Sequence, residues 1–129
     1  MCWDISLHTD IELTKAAFPN LKIRSKIQWN PNMEDVWALG HPEYPIIMRE
    51  ESGLALDDAE WGVDPVYLMK DPKKYADMRK NMVNARSERI LEDKRSMWYR
   101  LRKNRCLIPV SGTFEHRHIN GWKKKVPYF

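Results

Sequence analysis

The sequence predicts an α+β fold, with a mixed or antiparallel, barrel-like β-sheet and flanking helices. Three observations lead there. Short β-prone runs recur along the chain, at residues 2–7, 45–48, 54–63 and 106–129. Only a few stretches carry helical periodicity. No glycine-rich turn of the kind that joins strand to helix in parallel α/β sheets occurs.

The elements follow in order. Cys2, Asp4 and Ser6 alternate with Trp3, Ile5 and Leu7, the period-two pattern of a half-buried strand. Thr9 with Glu12 forms a capping box that opens a short helix to about Phe18. Residues 19–45 are rich in Pro, Asn and Gly and read as largely irregular. Pro45 to Met48 is a short buried strand. Leu54 to Leu56 and Ala59 to Val63 read as a hairpin across Asp57-Asp58. Asp71-Pro72 starts a helix, with an N-cap acceptor followed by proline at the first helical position. Tyr75, Met78 and Met82 then recur at helical spacing and predict one inward stripe. Asp93 to Asn104 reads as a second basic amphipathic helix, with Met97, Trp98 and Leu101 as its apolar side. Cys106 to Val110 is β-prone. Thr113 to His118 and Trp122 to Phe129 flank Asn120-Gly121, a two-residue hairpin signal.

A length of 129 residues suits one domain, 1–129, and 43% hydrophobic residues suffice for a packed core. No apolar run is long enough to span a bilayer, and no signal peptide opens the chain. Two cysteines, Cys2 and Cys106, are too few for a disulfide scaffold and point to a reducing compartment. The net charge of +4 is unevenly spread. Residues 1–72 carry a net −7, residues 73–105 a net +8 and residues 106–129 a net +3. A basic stretch with Trp61, Tyr67, Tyr75, Trp98 and Tyr99 nearby suits a polyanion, and single strands in particular, because bases stack and phosphates pair. Lysines and arginines that merely solvate helix faces would give the same count.

Cys2 offers distinct chemistry. Once Met1 is removed, its α-amine and thiol form a 1,2-aminothiol, which condenses with aldehydes to a Schiff base and then a thiazolidine. An α-amine with a pKa of about 7.7–8.0 is partly unprotonated at neutral pH. By itself, Cys2 reads equally as a small apolar residue starting a strand.

Four segments in order resemble one family. They are Met1-Cys2; Trp61-Gly62-Val63-Asp64-Pro65 with Tyr67 close behind; Asn84-Ala85-Arg86-Ser87-Glu88; and the run from Arg105 to Glu115, RCLIPVSGTFE. Together they are similar to the motifs of the SOS response-associated peptidase (SRAP) family. The resemblance implies a protein that binds single-stranded DNA and captures abasic sites as a thiazolidine on its N-terminal Cys. It also implies self-removal of residues ahead of that Cys, and a basic DNA channel on a curved, barrel-like sheet. By resemblance, Cys2, Asn84 and Glu115 are the catalytic residues. Glu115 would move protons at the amine and carbinol oxygen. Asn84 would orient the sugar or the Cys through its uncharged amide. Arg86 would contact phosphate, Tyr67 would stack or wedge at the lesion, and Trp61 and Pro42 would complete the DNA-binding set. From the residues alone, Glu115 reads as a strand-face carboxylate in a salt bridge, and Tyr67 equally as core.

Several positions depart from the family pattern. Cys2-Trp3-Asp4 stands where members commonly have Cys-Gly-Arg, so an acid replaces a phosphate-holding Arg. Ala38 and Leu39 stand near the family's Tyr-Asn, and Leu68 replaces a second wedge aromatic. The family's catalytic His lies downstream of Phe129, and His116 and His118 belong to the wrong motif to replace it. The chain is therefore expected to be cut short at its C-terminal end, with steps needing that His impaired. Two other readings are an N-terminal cysteine amidohydrolase and a non-catalytic basic nucleic-acid-binding module. Zinc binding through Cys106, His116 and His118 lacks a paired Cys-x-x-Cys. The expected partner is single-stranded DNA with abasic sites. No cofactor, metal or membrane is expected, and the chain is expected to be a monomer in the cytoplasm, at the nucleoid if bacterial.

Overall fold

A computed structural model describes residues 4–7, 11–26 and 33–128, with the side chains of 34, 127 and 128 left aside. The predicted strand start at Cys2 and the Thr9 cap lie outside the described residues.

The architecture is α+β, with two four-stranded sheets. The first has the order β3-β1-β7-β8 and is antiparallel throughout. Its strands are β1 (Asp4–Leu7), β3 (Met33–Trp37), β7 (Gly112–Arg117) and β8 (Val126–Tyr128). The second has the order β2-β5-β4-β6, with β2 (Lys22–Ile23), β4 (Glu43–Glu50), β5 (Gly53–Glu60) and β6 (Cys106–Leu107). Here β2 runs parallel to β5, while β4 pairs antiparallel with β5 and β6. Neither sheet closes on itself.

The alternation read from the sequence places the core. Ile5 and Leu7 of β1 are buried together with Val36 of β3 and Tyr44 of β4, and Met33 and Trp61 pack against them. Tyr44 therefore carries the core of one sheet to the other. Its hydroxyl donates to the Pro109 carbonyl at 2.7 Å, tying β4 to the segment before β7. Burial pushes the phenol pKa up to about 12. Ser111 N–H donates to the Ser6 carbonyl at 2.8 Å and fixes the same segment against β1.

The helices are short. α1 (Ile11–Ala17) ends one residue before the expected Phe18. α2 (Pro72–Asn81) starts as predicted: Asp71 caps it by accepting from Lys74 N–H at 3.2 Å, and Pro72 opens it. Its inward stripe is weaker than predicted. Met78 is 39% exposed, and burial is reached only at Met82, just past the helix. The predicted helix from Asp93 to Asn104 is confined to α4 (Met97–Leu101), because Ser96 caps it by accepting from Trp98 N–H at 3.2 Å. A further short helix, α3 (Ser87–Leu91), precedes it.

Two strand assignments change. The proposed hairpin across Asp57-Asp58 is instead the middle of β5. The hairpin lies one turn earlier, where β4 reverses at Glu51-Ser52 and Glu50 pairs with Gly53. Asp57 and Asp58 stay inside a strand because their carboxylates find hydrogen-bond donors there, for Asp58 from the segment after β2. Asp58 accepts from Lys26 N–H at 2.7 Å and from the Ser25 hydroxyl, while Asp57 accepts from Asp58 N–H at 2.9 Å. Residues 33–37, expected to be irregular, form β3. The last hairpin is present, pairing Glu115 with Tyr128 and Arg117 with Val126. Its connection is longer than two residues. Asn120-Gly121 forms only its tip, with Gly121 at φ +86° and Trp122 N–H donating to the Ile119 carbonyl at 3.0 Å.

Candidate nucleic-acid interface

The segment 61–63 folds against 82–83 and sets up the site. Val63 N–H donates to the Met82 carbonyl at 3.1 Å, and the Trp61 indole Nε1 donates to the Val83 carbonyl at 3.0 Å. Trp61 N–H donates in turn to the Pro42 carbonyl at 2.9 Å. Gly62 sits at φ +118°, where a Cβ would approach His41 Nδ1 to 3.2 Å and the Met82 carbonyl to 3.4 Å, so this close strapping requires glycine. Met82 and Val83 are both buried. Asn84 follows directly at the rim of a cleft.

That cleft has a volume of about 730 Å³ and lies between α2 and the α3–α4 pair. Tyr67, Asn84 and Arg86 line it, so three of the predicted residues come together. Tyr67 is 60% exposed, a ring free to stack. Arg89, Arg95, Arg100 and Trp98 line the same cleft. Arg89 is engaged, donating to Ser96 Oγ at 3.3 Å and lying 3.4 Å from Asp93. Among the described residues, the guanidinium groups of Arg86, Arg95 and Arg100 have no ion-pair partner. Four arginines and two aromatics around one open cleft provide phosphate forks and stacking surfaces together.

Other basic residues are committed elsewhere. Arg79 pairs with Glu60 and donates to the Tyr75 hydroxyl at 3.0 Å, while that hydroxyl donates to Asp64 at 2.8 Å. Arg102 lies 3.7 Å over the Tyr99 ring and donates to its carbonyl at 2.6 Å. The charge count of the basic stretch therefore overstates the cations available to a ligand.

The remaining predicted residues lie apart from the cleft. Trp61 is partly buried against the core and lines a second, mostly apolar cavity of about 800 Å³. Trp98 lines both cavities and marks where they meet. Pro42 contributes the carbonyl that holds Trp61. Glu115 sits on β7 just beyond the Asp4–Phe114 pair, at the N-terminal end of β1. Cys2 lies outside the described residues. Cys106 is a free thiol on the exposed β6, and desolvation pushes its pKa up, which lowers its thiolate fraction. Among the described residues no three His, Cys, Asp or Glu side chains converge as metal ligands, and no helix is long and apolar enough to cross a membrane.

The sequence missed Arg95, Arg100 and Trp98 as individual cleft residues. Their only signal was membership of the basic stretch, and Trp98 reads there as core.

A family model described as SOS response associated peptidase (SRAP) matches residues 1–129. No curated protein and no solved structure matches the chain.

Proposed function

The chain belongs to the SOS response associated peptidase family, and from that premise we propose that it binds single-stranded DNA and captures abasic sites covalently through Cys2. Family membership supports a DNA-damage-associated function, and the family is known in general terms for peptidase and crosslinking activity. The observation that carries the finer reading is the cleft where Tyr67, Asn84 and Arg86 meet three unpaired or exposed basic neighbours.

In this reading, removal of the residues ahead of Cys2, by the protein itself, frees the α-amine. The amine attacks the aldehyde of a ring-opened abasic site. The thiol then closes a thiazolidine, which cannot undergo the elimination that breaks the strand. Arg86 and its neighbours hold phosphates, Tyr67 stacks on a base and Asn84 orients the sugar by its amide. Glu115, beside the start of β1, carries protons at the amine. Trp61 and Pro42 support this set through the backbone that leads to Asn84. The protein would act as a monomer on DNA in the cytoplasm, at the nucleoid if bacterial.

The test is a denaturing gel of the protein incubated with single-stranded DNA bearing one abasic site. A shifted band that disappears in Cys2→Ala is expected. Its absence, or its persistence in Cys2→Ala, rules the reading out.

A further inference from the structure

Tyr67 stands on a short segment that is held at both ends and bare in the middle. Pro65 is fully buried, whereas Val66, Tyr67 and Met69 are each 60% exposed or more. The segment makes a 3-10 turn over Val66–Leu68, closed by Leu68 N–H donating to the Pro65 carbonyl at 2.8 Å. At its far end Asp71 N–H donates to the Leu68 carbonyl at 2.8 Å, so the turn runs directly into the cap of α2. Three exposed side chains out of four leave little packing to fix this tip. Its direction is set by what grips its near end.

That grip is a chain of side chains. The Tyr75 hydroxyl, one turn into α2, donates to Asp64 Oδ1 at 2.8 Å. Arg79, one turn further, donates to the same hydroxyl oxygen at 3.0 Å and pairs with Glu60 at the end of β5. Tyr75 and Arg79 are four residues apart and share a face of α2. Both ends of the chain are ionised, and a guanidinium donating to the phenol oxygen polarises the O–H that Asp64 accepts. Beside it, Val63 N–H donates to the Met82 carbonyl at 3.1 Å. None of Glu60, Asp64, Tyr75 and Arg79 lines the arginine cleft, whereas Tyr67 does.

We propose that Tyr75 and Asp64 are positioning residues for Tyr67: their hydrogen bond, backed by Arg79 and Glu60, aims the Tyr67 ring at a base of a single strand held in the cleft. The proposal rests on the reading of that cleft as a DNA site. The hydrogen bond adds no contact to the strand. It holds the ring in its stacking orientation before the strand arrives, so less ordering remains to be done on binding.

The experiment is a double-mutant cycle on the affinity of the full chain for a fluorescent single-stranded oligonucleotide, measured at several salt concentrations. Tyr67→Ala is expected to weaken binding about tenfold, the scale of one lost stacking contact. Tyr75→Phe should weaken it about threefold. Asp64→Ala is read against Asp64→Asn, which also loses the charge but keeps an acceptor oxygen, and should bind about threefold more weakly than it. The slope of log affinity against log salt should be the same in wild type and Tyr75→Phe, because no phosphate contact is lost. In the Tyr67→Ala background Tyr75→Phe should cost nothing further, since the ring it positions is gone. Denaturant midpoints establish that each variant is folded; if Tyr75→Phe is not, the Asp64→Ala and Asp64→Asn pair makes the same comparison in both backgrounds. Losses that add in the double variant, a flatter salt slope, or wild-type affinity in Tyr75→Phe each overturn the positioning role and leave the cleft standing. Wild-type affinity in Tyr67→Ala removes stacking by Tyr67 and the proposal with it. No binding by wild type overturns both the proposal and the DNA reading.

Discussion

The indole Nε1 of Trp61 donates to the carbonyl of Val83 at 3.0 Å, and Asn84 is the next residue along the chain. One side chain of the Trp61-Gly62-Val63 turn thus fixes the backbone that delivers Asn84 and Arg86 to the arginine cleft. Trp61→Phe keeps most of the apolar packing but leaves the Val83 carbonyl unpaired. We expect a loss of about 1–2 kcal/mol, read as a lower denaturant midpoint at unchanged slope, together with weaker binding of single-stranded DNA. Unchanged DNA affinity would mean that Trp61 does not position the cleft.

The arginines in and beside the cleft divide by their partners, and Arg79 is not among those that line it. Arg86 and Arg100 have no ion-pair partner among the described residues, whereas Arg79 is held by Glu60 and Tyr75. Each of Arg86→Gln and Arg100→Gln should flatten the plot of log affinity against log salt by about 0.7. Arg79→Gln should leave that slope unchanged and lower stability instead. Titrations of a fluorescent oligonucleotide at several salt concentrations separate the two groups.

Asp4 is predicted to cost stability at neutral pH. Its folded carboxyl has a raised pKa, so the unfolded chain releases that proton first as pH rises. Stability is therefore complete below the ordinary aspartate range and declines as pH climbs through the higher folded value. Asp4→Asn should melt at a higher temperature than wild type at neutral pH, and the two melting temperatures should converge in acid. Melting curves that keep a constant offset down to about pH 3 would contradict this.

Tyr44 gives the alkaline counterpart. Its pKa of about 12 lies above the usual tyrosine value near 10. Stability from this group is full below about pH 10 and is lost as pH rises towards 12. Tyr44→Phe should remove that alkaline loss, while costing about 1 kcal/mol at neutral pH because the Pro109 carbonyl loses its donor. Denaturation midpoints at neutral and alkaline pH check both signs.

Local chemistry was the legible part of the fold. The Asp71 cap with Pro72, the alternation of β1 and the Asn120-Gly121 turn each depend on a few adjacent residues. β3 was hidden because Met33 to Trp37 carries two acids, and its strand state comes from pairing with β1 across distant sequence. The Asp57-Asp58 pair looked like a turn because its partners, Ser25 and Lys26, lie more than thirty residues away. In the site, motif matching identified Tyr67, Asn84 and Arg86, which do share a cleft. It could not reveal that Trp61 serves through its indole N–H, or that Arg79 and Arg102 are spent within the protein. Those facts depend on which side chains tertiary packing brings within hydrogen-bonding reach.

Capture at the N-terminal amine and thiol of Cys2 is tested most directly by intact mass and peptide mapping of the protein after reaction with an abasic oligonucleotide. The account predicts a chain that has lost Met1 and gained the oligonucleotide less one water, with the modification confined to the peptide that begins at Cys2. An adduct mapped to a lysine or to Cys106, or one formed while Met1 is still attached, would contradict it.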